Sequence, residues 1–350
     1  DLYLTLDSKI QYLAERELDE GVKKFRARDG FAVVMDPKTG EVLAMAQAKR
    51  YDLNNFQHST PQQRLNLAVA YAFEPGSAFK IFAALAALEY GVVSPSEYFS
   101  GSASVAIAGH VFHNSEGRNF GSVTLADIIK DSINTGMIRV AQRLGEARLY
   151  EFLEKLEFGK KTGLGLPGEI AGFLPPLRQW SKLEIGAIPI GQAVSVTGIQ
   201  LISRTAAIAN NGLLLKPQII KQIQNAQGKL IQKGMPQMIK KIASAENIAL
   251  LKQMMRQVIK DGTGTPAEIE AFEPAAKTGT GQKAIPGQGY IKNKYTTLIE
   301  GFFPMQDPKY AILVVLDEPN VENFWGGQTA GPIFKAIAEG IIQLKKLRPP

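Results

Sequence analysis

The chain contains no cysteine, which excludes both a disulfide framework and a thiolate metal site. Histidine is nearly as scarce. His58, His110 and His113 are the only three, too few for most imidazole-based chemistry. His110 and His113 stand in an H-x-x-H spacing that could hold a metal. They lie, however, in the polar, glycine-rich run GHVFHNSEGRNFG, with no carboxylate ligand pattern beside them. A loop is the preferred reading, with no metal and no cofactor expected. No apolar run reaches the roughly 18 residues that a membrane-spanning helix needs, and no signal-peptide pattern is present. The chain opens on DLYLTLD without an initiator methionine, which reads as a fragment, so localisation is not legible in its first residues. Concentrated positive charge is also missing. The net charge is +7, but the basic residues are dispersed except for Lys345, Lys346 and Arg348. Nucleic-acid binding wants a denser patch, and no nucleic-acid partner is expected.

What is present is an ordinary globular composition, 45% hydrophobic and 21% charged over 350 residues. Ser8 and Gln11 have the spacing of a capping box, followed by a helical stripe of Ile10, Leu13, Leu18 and Val22. Phe31–Asp36 and Glu41–Gln47 read as strands joined by the turn Pro37-Lys38-Thr39-Gly40. A helix is expected from near Ser77 to Gly91. Residues 90–260 read as mostly helical, with loops at 100–122 and 159–190 and a helix over Ser195–Asn211. Strands return at Ala275–Gln282, Thr296–Phe303 and Tyr310–Leu316, and a last helix covers Pro332–Leu347. Strands at both ends with helices inserted between them predict an α+β fold.

The chemistry starts at Glu74-Pro75-Gly76-Ser77-Ala78-Phe79-Lys80. A Pro-Gly turn delivers Ser77 to the first turn of an apolar helix, where free N–H groups and the helix dipole favour negative charge. Lys80, three residues on, falls on nearly the same helix face. To act as base near neutrality its pKa must fall from about 10.4 toward 7, a differential of roughly 4.6 kcal/mol. Burial and a second cation are the standard means. An S-x-x-K alone is weak, since a capping serine and a surface lysine also satisfy it. Ser77 is, however, the only serine with lysine three residues on, and Lys80 lies amid alanine and phenylalanine, where a lysine without a task is costly. Ser132-Ile133-Asn134 offers a hydroxyl and a carboxamide on a tight loop. By itself that triplet reads more readily as a polar helix-capping loop.

Lys-Thr-Gly occurs three times. Lys38-Thr39-Gly40 belongs to the hairpin turn and Lys161-Thr162-Gly163 to a glycine-rich loop, so both are read as structural. Only Lys277-Thr278-Gly279-Thr280 is flanked by extended sequence, where alternate side chains can line a cleft and glycine leaves room against the backbone.

S-x-x-K, S-x-N and K-T-G together form the motif set of β-lactamases and penicillin-binding proteins. The chain resembles the transpeptidase domain of class B, monofunctional high-mass penicillin-binding proteins almost end to end. AVVMDPKTGEVLAMA, IGQAVSVTGIQL, GFFPMQDPKYAILVVLDEP and WGGQTAGPIFKAIAE add to the likeness. The resemblance implies a penicillin-recognising fold, with a five-stranded antiparallel sheet flanked by helices and an all-helical lobe. It implies one transpeptidase domain over 1–350, with a sheet lobe near 1–90 and 260–350 and a helical lobe near 91–259. The family's membrane anchor and pedestal are expected to be absent. It also implies D,D-transpeptidation of peptidoglycan at the extracytoplasmic face of the membrane. Ser77 would be the nucleophile, Lys80 its base, Ser132 a proton relay, Asn134 a holder of substrate amide, and Lys277 a source of positive potential. Thr278, Gly279 and Thr280 would bind substrate, and the backbone N–H groups of Ser77 and Thr280 would form the oxyanion hole. The implied partners are D-Ala–D-Ala stem peptides, β-lactams, a glycosyltransferase, and division or elongation proteins.

Three positions depart from the family pattern: Ala78 for the common threonine, Ile133 within S-x-N, and Ala276 before K-T-G. None removes a reacting group. A serine β-lactamase is the nearest rival, but an E-x-x-L-N loop carrying a deacylating glutamate is not found. A D,D-carboxypeptidase, a β-lactam sensor and an inactive scaffold are weaker alternatives.

Overall fold

The computed structural model describes residues 1–285 and 289–349. A short strand β1 (Leu2–Leu4) leads into helix α1 (Ser8–Lys24), then into the hairpin β2 (Asp29–Met35) and β3 (Val42–Gln47). Helix α2 (Lys80–Glu89) follows a 3-10 turn over Gly76–Phe79. The middle of the chain supplies α3 (Asn134–Leu144), α4 (Glu146–Lys155) and α5 (Gly198–Ala209). Strands β4 (Ile220–Gln224) and β5 (Leu230–Lys233) precede α6 (Ala245–Lys260). The C-terminal part adds β6 (Ala275–Ile285), β7 (Gly289–Phe303), β8 (Tyr310–Asp317) and α7 (Gly326–Lys345).

Five strands form the main antiparallel sheet, in the order β6-β7-β8-β2-β3. The N-terminal hairpin thus completes a sheet whose other strands lie more than two hundred residues away, giving the α+β class. Both faces of this sheet are covered. Phe31, Val33 and Met35 enter the core shared with the middle helices, while Ala32 and Val34 enter a second core under α1 and α7. A strand buried on both faces carries an unbroken apolar run rather than alternation, which is why FAVVM is apolar throughout. Fully burying each of Phe31, Val33, Val34 and Met35 contributes about 1.5–3 kcal/mol.

Several boundaries differ from expectation. The N-cap of α1 is Asp7, whose carboxylate accepts from the N–H groups of Lys9 and Ile10 at 3.0 and 3.2 Å. Gln11 is therefore not part of a capping box. Its side-chain amide bonds both ways with the Met45 backbone on β3, at 2.7 and 3.1 Å, and so covers the exposed edge of the sheet. Helix α7 begins at Gly326, ahead of the expected Pro332. The lobe between α2 and α6 is not all helical. Ser104–Ile107 pairs with His110–His113, Leu213–Leu215 with Met238–Lys241, and β4 with β1 and β5. These strands are short and largely exposed, so no long apolar alternation marks them. Among the described residues no helix is long and apolar enough to cross a membrane.

Candidate active site

Ser77 lies inside the 3-10 turn, and α2 proper begins at Lys80. A 3-10 turn has three residues per turn, so positions i and i+3 eclipse. Lys80 therefore stands over Ser77 more directly than in an α-helix, and its Nζ is 3.0 Å from Ser77 Oγ. From Lys80 to Leu88 every residue of α2 is buried, as befits a helix apolar all round. The lysine side chain is carried into the interior with it, and Lys80 is 0% exposed.

Three further contacts hold Lys80 Nζ: Ser132 O at 2.5 Å, Asn134 Oδ1 at 2.7 Å and Ser132 Oγ at 3.1 Å. Asn134 is oriented by its own Nδ2, which donates to the His113 carbonyl at 2.8 Å. Its oxygen is thereby turned to the lysine. A neutral amine has two hydrogens and one lone pair. The Ser132 carbonyl and the Asn134 oxygen can only accept, so they take the two hydrogens and leave the lone pair for a hydroxyl. That arrangement suits removal of the Ser77 proton. Burial pushes Lys80 well below the ordinary lysine range, and the nearby Lys277 ammonium adds to this.

Lys277 comes from β6 and is also fully buried. Its Nζ donates to Ser132 Oγ at 3.0 Å and to the Thr278 carbonyl at 3.1 Å. The Ser132 hydroxyl thus sits between two lysine nitrogens. Burial lowers Lys277 to about 7, with Glu300 opposing the fall.

The structure brings Ser77, Lys80, Ser132, Asn134 and Lys277 together, with Thr278, Gly279 and Thr280 beside them. Ser77, Ser132, Asn134 and the three β6 residues line one cleft of about 700 Å³. Side chains on β6 alternate. Lys277 and Gly279 face the Ser77 turn, while Thr278 and Thr280 bond to Thr263 Oγ1 at 2.8 Å and to the Gly326 N–H at 3.1 Å. The other two Lys-Thr-Gly triplets lie elsewhere. Gly40, at φ +74°, closes the β2–β3 turn, and Thr162 donates its N–H and hydroxyl to the buried Glu169. His110 and His113 are three apart on one strand, so their side chains project from opposite faces.

Three contributors were not read from the sequence. Thr263 enters from the loop after α6, where DGTGT was the signal. Gly191, at φ +78°, accepts the Gly76 N–H at 3.1 Å; a Cβ there would stand 2.0 Å from the Gly76 carbonyl oxygen. Trp325 is 37% exposed on the cleft wall. It stacks on Phe324 at 5.0 Å, which stacks on Tyr295 at 4.4 Å. A second cavity, about 490 Å³ between Thr60–Leu67 and the strand ends at Arg28 and Asp317, contains none of the Ser77 group.

Comparison with known proteins places these features in context. Residues 30–339 match the family model described as the penicillin binding protein transpeptidase domain. Penicillin-binding protein PbpB of Mycobacterium tuberculosis is 36% identical over 97% of the chain and 51% of its own length. The probable peptidoglycan D,D-transpeptidase PenA of Neisseria gonorrhoeae is 33% identical over 100% of the chain and 58% of its own length. The chain spans about half the length of the curated relatives it matches. Among solved structures, penicillin binding protein 3 from Mycobacterium tuberculosis in its apo form superposes with a TM-score of 0.93, at 34% identity. That match covers 100% of this chain and 80% of the other. The transpeptidase domain of Burkholderia pseudomallei penicillin-binding protein 3 gives 0.86 at 29% identity, covering 99% and 97%.

Proposed function

This chain belongs to the penicillin-binding protein transpeptidase family, of the class B type, and from that premise we propose that it is a peptidoglycan D,D-transpeptidase working through a Ser77 acyl-enzyme. The observation that carries the reading is the set of contacts around Lys80, whose nitrogen touches Ser77, Ser132 and Asn134 at once.

On this reading Ser77 Oγ attacks the carbonyl of the penultimate D-Ala of a donor stem peptide, and its proton passes to Lys80 Nζ. Negative charge developing on the carbonyl oxygen is met by the backbone N–H groups of Ser77 and Thr280. The two backbones are adjacent, since a Cβ on Gly76 would lie 2.5 Å from the Thr280 carbonyl. The peptide C–N bond breaks, and the proton held at Lys80 travels through the Ser132 hydroxyl to the leaving D-Ala amine. The amine of a second stem peptide then attacks the ester. Its proton returns along the same route, and Ser77 is released. Thr278 and Thr280 bind the terminal carboxylate, Lys277 supplies positive potential from beneath, Gly279 gives the substrate room against the β6 backbone, and Asn134 holds a substrate amide.

A β-lactam would acylate the same serine. A solved relative, the M. tuberculosis penicillin binding protein 3, has been crystallised with aztreonam and with ampicillin, which supports that extension. The corresponding workplace is the extracytoplasmic face of the cytoplasmic membrane, beside a glycosyltransferase and division or elongation proteins. Mass spectrometry of a donor stem peptide incubated with an amine acceptor tests the reaction. D-Ala release with a new donor–acceptor amide is expected. Release as free hydrolysed peptide alone would point to a carboxypeptidase instead.

A further inference from the structure

Beneath the Ser77 group lies a carboxyl that belongs to none of the motifs. Glu300 on β7 is the direct cross-strand partner of Lys277 on β6. Residues so placed project from the same face of the sheet. Here that face packs against the middle helices, because Leu298 and Phe302, two positions to either side, belong to that core. Glu300 and Lys277 are both 0% exposed.

From β8 the residue opposite Glu300 is Leu313. Helix α5 brings Thr205, whose hydroxyl donates to Glu300 Oε2 at 2.5 Å. Arg204 beside it is turned onto the carbonyls of Leu156 and Glu157. From α6, Lys252 lies over the Phe302 ring, with its ammonium bound to Ala209 and Asn211. Lys80 approaches from α2 on the far side of the Ser132 hydroxyl. Among these groups, Lys277 is the one paired with Glu300 across the strands, with its ammonium free of another acid. Among the described residues Glu300 Oε1 is buried with no hydrogen-bond partner, a costly state for a carboxyl.

Lys80 and Lys277 both lie within hydrogen-bond reach of one oxygen, Ser132 Oγ. Two ammonium groups so close in a buried site disfavour each other, and one of the pair must give up its proton. Which lysine does so decides whether Ser77 has a base. We propose that Glu300 is a positioning residue for acylation, its carboxylate supplying the counter-charge that keeps Lys277 an ammonium while Lys80 serves as the neutral base. This rests on the acyl-transfer reading above. Glu300 opposes the fall of Lys277, whereas Lys80 is pushed down by burial and by Lys277 without an acidic group opposing it. Burial raises Glu300 well above the carboxylate range, and Thr205 and Lys277 pull it back.

The test is the pH dependence of acylation by a fluorescent penicillin, measured as a second-order rate constant for the wild type, Glu300→Gln, Glu300→Asp and Thr205→Val. Without the carboxylate, the alkaline limb, where Lys277 loses its proton, should move down by roughly one pH unit. On that side of the profile Glu300→Gln then runs about tenfold slower, while the acid side stays within a few-fold. Glu300→Asp should move the limb back toward the wild type. Thr205→Val, which removes the hydroxyl stabilising the carboxylate, should shift it in the same direction as Glu300→Gln by a smaller amount. A purely structural role would scale the rate evenly across pH. An unshifted limb in Glu300→Gln, or in Thr205→Val should the first variant not fold, overturns this inference and leaves the acyl-transfer reading standing. Wild-type protein that takes no label at any pH overturns both.

Discussion

Ser132 holds a left-handed backbone, φ +59°, and in that conformation it presents both its carbonyl oxygen and its hydroxyl to Lys80 Nζ. A non-glycine residue at positive φ is strained. The strain here is offset by a double attachment that fixes the lysine nitrogen in front of Ser77. The two attachments separate cleanly on substitution. Ser132→Ala keeps the carbonyl and therefore the lysine's place, but deletes the hydroxyl that joins Lys80 to Lys277. Acylation by a β-lactam should fall about 10²-fold, with thermal stability changed little. A rate within twofold of the wild type would show that the hydroxyl is not on the proton's path.

The lowered pKa of Lys80 has a consequence for stability. From the depressed folded value up to the ordinary 10.5, the unfolded chain holds a proton at this residue that the folded chain has lost. Stability from this group therefore rises with pH across that window and drains away as pH falls toward the folded value. Lys80→Met removes the titration. The stability of the wild type relative to Lys80→Met should grow with pH, by at most about 1.4 kcal/mol per pH unit. Urea unfolding midpoints of the two proteins, taken at several pH values, check this. Parallel profiles would mean that Lys80 is protonated in the folded protein throughout.

The fit of β6 against the Ser77 turn leaves no room for a side chain at Gly279. A Cβ there would stand 2.5 Å from the Pro75 carbonyl and 3.0 Å from Ala78 Cβ. Gly279→Ala should push the strand away from Ser77 at a cost of about 1–3 kcal/mol, and slow acylation at least tenfold while the chain still folds. Differential scanning calorimetry and acylation kinetics measure both. Normal acylation would show that the turn and strand are not coupled through this contact.

The parts of this protein that a sequence displays well are those where one local pattern decides the outcome. The hairpin around Pro37–Gly40, the apolar helix behind Lys80 and the strands of the last hundred residues are of that kind. The Ser77–Lys80 pair was legible because its chemistry is carried by close spacing. Choosing among three Lys-Thr-Gly triplets was possible because only one has extended flanks. What stayed hidden depends on contacts between distant segments. Gln11 looks like a capping residue until Met45 is beside it. Thr263 gains meaning only against Thr278, and Gly191 only against Gly76. Strands β4 and β5 are short, β4 mostly half-buried and β5 exposed throughout, so the helical reading of their region had no strong counter-signal. Glu300 was invisible for the same reason. Nothing in LIEGFF says that its carboxyl will face Lys277.

The central claim is that Ser77 is a nucleophile activated by Lys80, and intact-mass spectrometry with ampicillin tests it most directly. The wild type should gain the full mass of one ampicillin, mapped by peptide digestion to Ser77, and lose it slowly. Ser77→Ala should gain nothing. A Ser77→Ala protein that still takes up one ampicillin covalently, or a wild type that takes up none, would contradict the account.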